Sequence, residues 1–269
     1  MIKKVLTIAG SDCSGGAGIQ ADLKTFSAHG TYGMSVITSV VAENTCTVAD
    51  IQNIHTDIIT KQMDCVFEDI FPEAVKIGML STPEIMITVA ECLANWLPEN
   101  IVVDPVMYAK NGCALMKESS VNTLIQRIIP LADVLTPNIP EAEKISGISI
   151  NHQQDMEQAA RIIQQMGAKT VLVKGGHKIG DAIDVLYDGK SFYYFSSARI
   201  NTKNTHGTGC TYSSAIAANL ANGLPILQAI TRAKSYITTA IEHALNLGKG
   251  NGPTNHFYDL YQHGLQEAS

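Results

Sequence analysis

Two glycine-rich segments of the sequence stand where helices are predicted to begin, and both could bind an anion. Gly207-Thr208-Gly209-Cys210 precedes an alanine-rich run, residues 215–221, whose composition predicts a helix. The first backbone N–H groups of a helix have no intrahelical partner, and the helix dipole adds positive potential there. We therefore expect Gly207, Thr208 and Gly209 to wrap their amides around a phosphate or a developing phosphoryl group.

Cys210 lies one residue beyond these glycines, which suggests a chemical role for its thiol. A helix N-terminus lowers the pKa of a thiol, so we expect a thiolate. We predict that Cys210 acts as a base that receives the proton of a substrate hydroxyl, so that Cys210→Ala abolishes turnover while the anion still binds. A small, packed, inert cysteine is the alternative.

The second segment, residues 10–18, contains four glycines between an apolar strand (5–9) and a predicted helix (19–26). Its glycines do not match the dinucleotide-binding spacing, and the chain has no Walker A sequence. In a parallel sheet the strand-to-helix loops lie at one edge, so the two glycine segments can converge on a single crevice.

Three further predicted strands end in polar residues of the types that phosphoryl transfer requires. These residues are Asp104, the pair Asn138 and Glu141, and Lys174. A carboxylate at a strand end is a natural Mg²⁺ ligand, and a lysine there suits a phosphate. Two alternatives stay open, because Asp104 precedes a proline and could be a turn residue, and Asn138 could simply cap a helix.

The elements that must position these residues alternate between strand and helix along the chain. Further strands are predicted over residues 34–42, 74–80, 101–103, 134–136 and 170–173, and further helices over 56–69, 83–96, 119–129 and 154–166. Residues 183–195 predict a β-hairpin with an Asp188-Gly189 turn, and two alanine-rich helices joined near residues 223–225 complete the chain. The pattern predicts an α/β fold with a parallel sheet.

Composition limits the possible functions. The 269 residues contain no linker or repeat, so we expect one domain. A net charge of −6 argues against nucleic-acid binding, and no apolar run approaches a membrane span. Residues 1–4 lead directly into a short predicted strand rather than into the apolar core of a signal peptide, so we expect a cytoplasmic protein. The six cysteines form no C-x-x-C pair, so we expect neither zinc nor disulfides and take most of them for small core residues.

Five ordered motifs together resemble one enzyme family. They are Gly10-Ser11-Asp12 with Ser14-Gly15-Gly16-Ala17-Gly18-Ile19-Gln20-Ala21-Asp22, Asp104-Pro105-Val106-Met107, Thr136-Pro137-Asn138 with Pro140-Glu141-Ala142, Val173-Lys174-Gly175-Gly176-His177 and Thr205-His206-Gly207-Thr208-Gly209-Cys210. The sequence resembles the hydroxymethylpyrimidine/phosphomethylpyrimidine kinases of thiamine biosynthesis, within the ribokinase-like superfamily. The resemblance runs from residue 6 to about residue 255.

The resemblance implies a ribokinase-like three-layer αβα domain with a mostly parallel central sheet, ATP and Mg²⁺ as co-substrates, and a homodimer. It implies that residues 207–210 form the anion hole, and that residues 108–113 act as a lid. The nucleotide contacts would be Asn138, Lys174 and Thr208, and the metal ligands Asp104 and Glu141. The pyrimidine pocket would be lined by Gly10, Asp22, Glu43, Met79 and Val106.

Glu43 stands where many relatives carry glutamine, and this departure bears on the substrate. It follows a buried strand, so we expect it at the inner wall of the pocket, where an unpaired carboxylate is costly. An aminopyrimidine offers an amine to one carboxylate oxygen and a ring nitrogen for a second contact, if the ring or Glu43 carries a proton. Pyridoxal has no such amine. Glu43→Leu should therefore lose phosphorylation of the pyrimidine and gain activity on pyridoxal relative to it, whereas Glu43→Gln should keep phosphorylation of the pyrimidine. The alternative is a turn cap at residues 43–45.

Three functions compete at this point. The first is ATP-dependent phosphorylation of 4-amino-5-hydroxymethyl-2-methylpyrimidine and then of its monophosphate. The second is a pyridoxal kinase, because branches of the same superfamily phosphorylate that similar ring alcohol. The third is a non-catalytic regulator that binds the nucleotide or vitamer, against which the Gly-Thr-Gly-Cys segment and Lys174 argue.

Overall fold

The computed structural model describes residues 1–109, 112, 115, 116, 118–176 and 182–263. Its centre is a nine-stranded sheet in the order β3-β2-β1-β4-β5-β6-β7-β8-β9. The strands are β1 (Lys4–Asp12), β2 (Tyr32–Glu43), β3 (Val48–Asn53), β4 (Ala74–Ile77), β5 (Ile101–Val103), β6 (Val134–Leu135), β7 (Thr170–Val173), β8 (Ala182–Tyr187) and β9 (Phe192–Ser197). The six strands from β2 to β7 in this order are parallel, and β3, β8 and β9 are joined by antiparallel pairings.

Helices cover both faces of the sheet. They are α1 (Gly18–Ala28), α2 (Thr56–Asp69), α3 (Pro83–Trp96), α4 (Val121–Thr123), α5 (Ile139–Ser146), α6 (Gln153–Gln164), α7 (Thr208–Ala221), α8 (Ile226–Glu242) and α9 (Tyr258–His263). Within the described part of the chain, no helix combines the length and the hydropathy that a membrane crossing requires.

Two hydrophobic cores make the molecule a three-layer sandwich. Neighbouring residues of a strand point to opposite faces, so Val5 packs with α7 and α8 while Leu6 packs with α2, α3, α5 and α6. The alanine-rich composition of α7 allows this helix to lie close to the sheet, and Ala215, Ala217 and Ala218 are fully buried. The predicted αβα architecture with a mostly parallel sheet is confirmed.

The secondary structure differs from the sequence prediction at two places. Residues 48–53 were not predicted as a strand, because β3 is an edge strand with little buried surface and an Asp, a Gln and an Asn in six positions. The helix predicted over residues 119–129 is an irregular segment in which α4 is followed by a π-helix, Leu124–Ile128, and a 3₁₀ turn, Ile129–Leu131. Pro130 ends the regular hydrogen bonding there, since it has no N–H.

The cysteine prediction was wrong about burial. Among the five described cysteines, Cys13, Cys46 and Cys65 are exposed, Cys210 is half-buried and only Cys92 is buried. The sixth cysteine, Cys113, lies outside the described residues.

The parallel strands place the predicted site residues at one edge of the sheet. Gly10 and Asp12 end β1, Glu43 ends β2, and Asp104 directly follows β5. Lys174 extends β7 and forms a bridge with Asn138, which follows β6. A register shift between Ala42 and its neighbour Glu43 adds a bulge at the end of β2, a feature that re-aims side chains next to functional sites.

Candidate active site

A cavity of about 710 Å³ opens at this edge of the sheet. Twelve of the thirteen residues predicted to serve the site line it: Gly10, Glu43, Met79, Val106, Asp104, Asn138, Glu141, Lys174, Gly207, Thr208, Gly209 and Cys210. The exception is Asp22. The tertiary structure therefore brings together residues up to 200 positions apart in the sequence, from Gly10 to Cys210.

The loop before α7 has the shape that anion binding requires. Gly207 is the N-cap with φ 78°, and a Cβ at this position would overlap the backbone oxygen of Gly16. Only glycine satisfies both conditions, because other residues rarely adopt positive φ. Among the described residues, no hydrogen bond uses the backbone N–H groups of Gly209 and Cys210. Both residues line the cavity, and their amides remain available to an anion.

The prediction of a lowered pKa at Cys210 was wrong. Burial raises the pKa of the Cys210 thiol to about 12, although the ammonium of Lys76 and the backbone N–H of Gly18 act in the opposite direction. The sequence shows that Cys210 begins a helix, but it does not show how completely neighbouring elements cover the thiol. Desolvation of a thiolate outweighs the helix dipole here.

Asp22 does not line the pocket, which corrects the expected location. It is fully buried beneath the cavity, where both of its oxygens lie 2.9 Å from Nζ of Lys76. Thr7 and Ser214 also donate to this carboxylate, at 2.6 and 2.7 Å. The four side chains come from β1, α1, β4 and α7, so the Lys76–Asp22 pair connects the elements that carry the site.

Lys76 is a site residue that the sequence analysis missed. It is 0% exposed in the protein, yet its ammonium reaches the floor of the cavity. The carboxylate of Asp22 opposes the effect of burial and keeps the pKa of Lys76 above its ordinary value. The sequence does contain a signal for this site, which is a lysine in the middle of the apolar strand Ala-Val-Lys-Ile. A charged side chain is rarely buried without a partner, so such a lysine indicates a buried acidic group beside it.

Asp104 and Lys174 form an ion pair at the centre of the cavity. Nζ of Lys174 lies 2.7 Å from Oδ1 of Asp104, which also accepts a hydrogen bond from Thr136 at 3.3 Å. Gly209 sits directly above, and a Cβ there would be 3.1 Å from Oδ2 of Asp104 and 3.5 Å from Nζ of Lys174. Burial lowers the pKa of Lys174, but Asp104 and Glu141 raise it more, so the lysine stays charged.

Asn138 and Glu141 form a capping box at the start of α5. The Asn138 side chain accepts from the Glu141 N–H at 2.9 Å, and the Glu141 carboxylate accepts from the Asn138 N–H at 2.8 Å. The capping role left open for Asn138 is therefore present. Burial, opposed by Lys174 and assisted by Asp104, raises the pKa of Glu141 to about 7.

The two carboxylates fit a hydrated divalent cation. Oδ2 of Asp104 makes none of the described hydrogen bonds, and the Glu141 carboxylate, which accepts from the backbone N–H groups of Asn138 and Met107, keeps further lone pairs for a metal. Mg²⁺ in proteins is commonly held by one or two carboxylates together with waters and substrate phosphates, so a complete cage of side chains is not required. Lys174 lies beside the pair and would compete with a metal for Asp104.

Asp12 and His206 are two further site residues that the sequence analysis missed, although both lie in the quoted motifs. Oδ2 of Asp12 accepts from Nε2 of His206 at 2.9 Å and from the N–H groups of Gly16 and Ala17 at 3.0 and 2.7 Å. Oδ1 accepts from Ser14 N–H at 2.7 Å. Burial raises the pKa of Asp12, but these donors lower it further, so that it lies well below its usual range.

Glu43 lies beside this pair at the wall of the cavity. The ligating atoms of Asp12, Glu43 and His206 all lie within 4.8 Å of one another. Since Asp12 is already saturated by N–H donors, the cluster is a hydrogen-bonding group rather than a metal site. Burial and the charge of Asp12 raise the pKa of Glu43 to about 7, and His206 opposes them.

Apolar groups complete the wall next to Glu43. Met79 packs against Gly10, where a Cβ would lie 2.5 Å from the methionine methyl, and Val106 lines the same cavity. Of the predicted lid, Tyr108 is half exposed and lines the cavity together with Ala109. Residues 110, 111 and 113 of that lid, and His177 of the lysine motif, lie outside the described residues.

Sequence comparison with known proteins identifies the enzyme family of this chain. The family profile described as phosphomethylpyrimidine kinase matches residues 12–255. The chain is 48% identical over 262 residues to the hydroxymethylpyrimidine/phosphomethylpyrimidine kinase of Haemophilus influenzae, covering 95% of this chain and 97% of the relative. It is 50% identical over 253 residues to the thiamine biosynthesis bifunctional protein ThiED of Geobacter sulfurreducens, covering 94% of this chain but only 52% of that longer relative.

Solved structures of two activities share the fold. A phosphomethylpyrimidine kinase from Clostridium difficile is 51% identical, with a TM-score of 0.81 over 89% of this chain and 99% of that one. An ADP complex of a Bacillus subtilis pyridoxal kinase is 40% identical, with a TM-score of 0.89 over 96% of this chain and 98% of that one.

Proposed function

The chain belongs to the phosphomethylpyrimidine kinase family, and with that as the premise we propose that it transfers the γ-phosphoryl group of ATP to 4-amino-5-hydroxymethyl-2-methylpyrimidine and then to the resulting monophosphate. The protein is a phosphotransferase with the ribokinase-like three-layer fold. These two phosphorylations belong to thiamine biosynthesis, the process named for the Geobacter relative.

One observation carries the proposal. A glycine loop with free amides, the Lys174–Asp104 ion pair and a polar ring-binding wall at Glu43 open into the same cavity of about 710 Å³. The loop and the ion pair suit the phosphates of a nucleotide, because phosphoryl transfer depends mainly on positioning and on stabilisation of charge. The wall at Glu43 suits a small ring that bears hydrogen-bond donors.

Each part of the site then has a separate task. The amides of Gly209 and Cys210 stabilise the charge that develops on the transferred phosphoryl group. Lys174 binds the nucleotide phosphates through its charge, together with Thr208 and Asn138 at the two helix starts. Asp104 and Glu141 would hold Mg²⁺, which neutralises charge on the phosphates when it is bound.

Cys210 remains our candidate for the group beside the reacting hydroxyl. A thiol with a pKa of about 12 is protonated at neutral pH, so it does not begin the reaction as a base. The loose transition state of phosphoryl transfer places little demand on early removal of the hydroxyl proton. We therefore propose that Cys210 first orients the hydroxyl, and the pH dependence of turnover tests whether it also takes the proton.

Pyridoxal phosphorylation is the second candidate function. The observation in its favour is that a pyridoxal kinase superposes on this chain with a TM-score of 0.89 at 40% identity. Against it stands Glu43, whose carboxyl finds an amine on the pyrimidine but none on pyridoxal. We infer that pyridoxal is at most a poor side substrate.

A substrate panel tests the proposal. Purified protein is incubated with ATP and Mg²⁺ and with the hydroxymethylpyrimidine, its monophosphate or pyridoxal, and phosphorylated products are separated by liquid chromatography and identified by mass. We expect the monophosphate and then the diphosphate of the pyrimidine. Exclusive phosphorylation of pyridoxal would contradict the proposal, and omission of Mg²⁺ tests the metal requirement in the same assay.

Two further expectations from the sequence stay predictions for this chain. We propose that it forms a homodimer, which sedimentation analysis of the purified protein can test. A cytoplasmic location agrees with the use of ATP, and fractionation of cells expressing the chain can test it.

A further inference from the structure

The carboxyl of Glu43 lies at the cavity wall and has no hydrogen-bond partner within the part of the chain that the structure describes. It is half-buried at the end of β2, and among the described residues no hydrogen bond involves its side-chain oxygens. Its backbone is anchored, because the Cys13 thiol donates to the Glu43 carbonyl oxygen at 3.1 Å. A half-buried carboxyl with no protein partner at a cavity wall is available to hydrogen-bond a ligand that enters the cavity and displaces water.

The charged groups that face Glu43 come from two other elements. Asp12 ends β1, and His206 lies in the loop before α7. Asp12 is 1% exposed and is kept ionised by three backbone N–H groups and His206. A fixed negative charge within 4.8 Å disfavours a second one, so Glu43 tends to keep its proton.

His206 holds this arrangement in place. Its N–H donates to the Gly252 oxygen at 3.0 Å and its oxygen accepts from the N–H of Thr254 at 3.4 Å. Its ring packs against Gly16, where a Cβ would overlap the imidazole. The glycine loop after β1 and the anion loop before α7 are therefore joined through the Asp12–His206 pair.

We propose that Asp12, held by His206, is a specificity-determining residue that makes Glu43 act as a glutamine-like partner for the aminopyrimidine ring. A protonated carboxyl donates one hydrogen bond through its O–H and accepts another at its carbonyl oxygen. The ring offers the matching pair, since its nitrogen accepts and its exocyclic amine donates. An ionised carboxylate accepts only and would leave the ring nitrogen without a donor.

This inference rests on the proposed pyrimidine kinase function and adds a measurable consequence. Binding of the neutral ring requires one proton to be shared between Glu43 and the ring. Burial and Asp12 raise the pKa of Glu43 to about 7, so this proton becomes scarce above neutral pH. Affinity should then fall about tenfold for each pH unit above that value.

The probe is 4-amino-2,5-dimethylpyrimidine, which has the ring and the amine but no hydroxyl to phosphorylate. Its dissociation constant is measured by calorimetry between pH 7 and pH 9 for the full chain and four variants. In the wild type we expect the constant to rise with pH, and in Glu43→Gln we expect it to be independent of pH, because an amide carries both a donor and an acceptor. Asp57→Asn removes an exposed charge of α2 as the control and should leave the wild-type curve unchanged.

Asp12→Asn is the decisive variant. It removes the charge beside Glu43, so binding at pH 8 should weaken about tenfold if the pKa of Glu43 falls by one unit. The fourth variant adds Asp12→Asn to Glu43→Gln, where the same change should have no effect on affinity. Equal weakening in both backgrounds would show that Asp12 only maintains the loop, and it would overturn the proposal.

A second measurement does not depend on the ligand. Carbon-13 NMR of labelled glutamate follows the Glu43 carboxyl, which is assigned by its absence in Glu43→Gln. We expect a midpoint near pH 7 in the free protein and a lower midpoint in Asp12→Asn. If Asp12→Asn does not fold, His206→Gln keeps a donor for Asp12 and removes the side chain that opposes the rise in the pKa of Glu43, so the midpoint should move upward. An unmoved midpoint overturns the inference, whereas a chain that phosphorylates no pyrimidine but shows the moved midpoint contradicts only the proposed function.

Discussion

The chemical state of Cys210 is the first property that experiment can settle. With a pKa of about 12, the thiolate fraction at pH 8 is about 10³-fold smaller than that of an ordinary cysteine. We expect iodoacetamide to alkylate the exposed Cys13, Cys46 and Cys65 rapidly and Cys210 very slowly, as measured by peptide mass spectrometry. Cys92, which is buried and also has a raised pKa, is the matched slow control. Alkylation of Cys210 as fast as of Cys13 would show a lowered pKa.

The role of Cys210 in turnover follows from the same property. Cys210→Ala should reduce kcat strongly while ATP still binds with its normal affinity. If the thiolate is the base, wild-type kcat should rise about tenfold per pH unit up to pH 9, and Cys210→Ala should lose this slope. A flat profile in the wild type would assign Cys210 to orientation of the hydroxyl. Near-native turnover of Cys210→Ala would exclude both roles.

The Lys174–Asp104 ion pair predicts two different kinetic defects. Lys174→Ala removes a phosphate-binding charge and should raise the KM for ATP. Asp104→Asn keeps the shape but removes the carboxylate proposed to hold Mg²⁺, so it should raise the Mg²⁺ concentration that half-maximal activity requires. Because the two side chains lie 2.7 Å apart, the double variant should lose less than the sum of the single effects. If the folded variants show the wild-type dependence of activity on ATP and Mg²⁺, both residues have only structural roles.

At the level of single elements, the loop that starts α7 depends on Gly207. Gly207→Ala should destabilise the fold by about 1–3 kcal/mol, because φ is 78° and the new Cβ overlaps the Gly16 oxygen. Displacement of the anion-binding amides by about 1 Å should also lower kcat about 10²-fold.

Gly223 provides a matched control for that prediction. It follows the other end of α7 with φ 85°, but a Cβ there would meet no atom within 4 Å. Gly223→Ala should therefore show only the cost of positive φ, measured by urea unfolding, and keep normal turnover. Equal loss of activity in both variants would contradict the role assigned to the loop.

The Lys76–Asp22 pair acts on the molecule as a whole, since four elements meet at it. Asp22→Ala should lower the free energy of unfolding by about 3–5 kcal/mol, because it leaves a fully buried ammonium without its partner. A double variant with Lys76→Met and Asp22→Leu should recover part of this loss. Urea unfolding of Asp22→Leu, Lys76→Met and the double variant measures the coupling between the two side chains, and strict additivity of the two single effects would contradict it.

The C-terminal loop predicts how overall stability responds to acid. Burial, and secondarily Lys24, lowers the pKa of His256 to about 4, and its Nε2 lies 3.0 Å from the Thr211 hydroxyl. The native state therefore binds fewer protons than the unfolded state between pH 6.5 and 4, so this stabilisation is complete above pH 6.5 and is lost as the pH falls. Relative to His256→Gln, the wild type should lose about 2 kcal/mol between pH 6.5 and pH 5 in urea unfolding. Parallel pH curves for the two proteins would contradict the prediction.

The order of strands and helices could be predicted along the chain because it depends on neighbours in the sequence. Apolar runs, proline at the start of α3 and the Asp188-Gly189 turn act within a few residues, and each prediction from them is confirmed. The edge strand β3 was missed because its pairing with β2, rather than its composition, makes it a strand. The π-helical turn at Leu124–Ile128 was missed as well, because the spacing of apolar residues predicts a helix but does not distinguish a π-helix from an α-helix.

The candidate site could be predicted to the level of residue types and of the edge that carries them. The carboxyl ends of parallel strands share that edge, so the sequence was sufficient to predict that Gly10, Asp104 and Cys210 lie near one another, and all three line the cavity. The tertiary structure alone decided the charge states, because desolvation depends on which elements cover a group. It buries the Cys210 thiol and so raises its pKa, it places Asp22 under the floor rather than in the pocket, and it sets Asp12 beside Glu43.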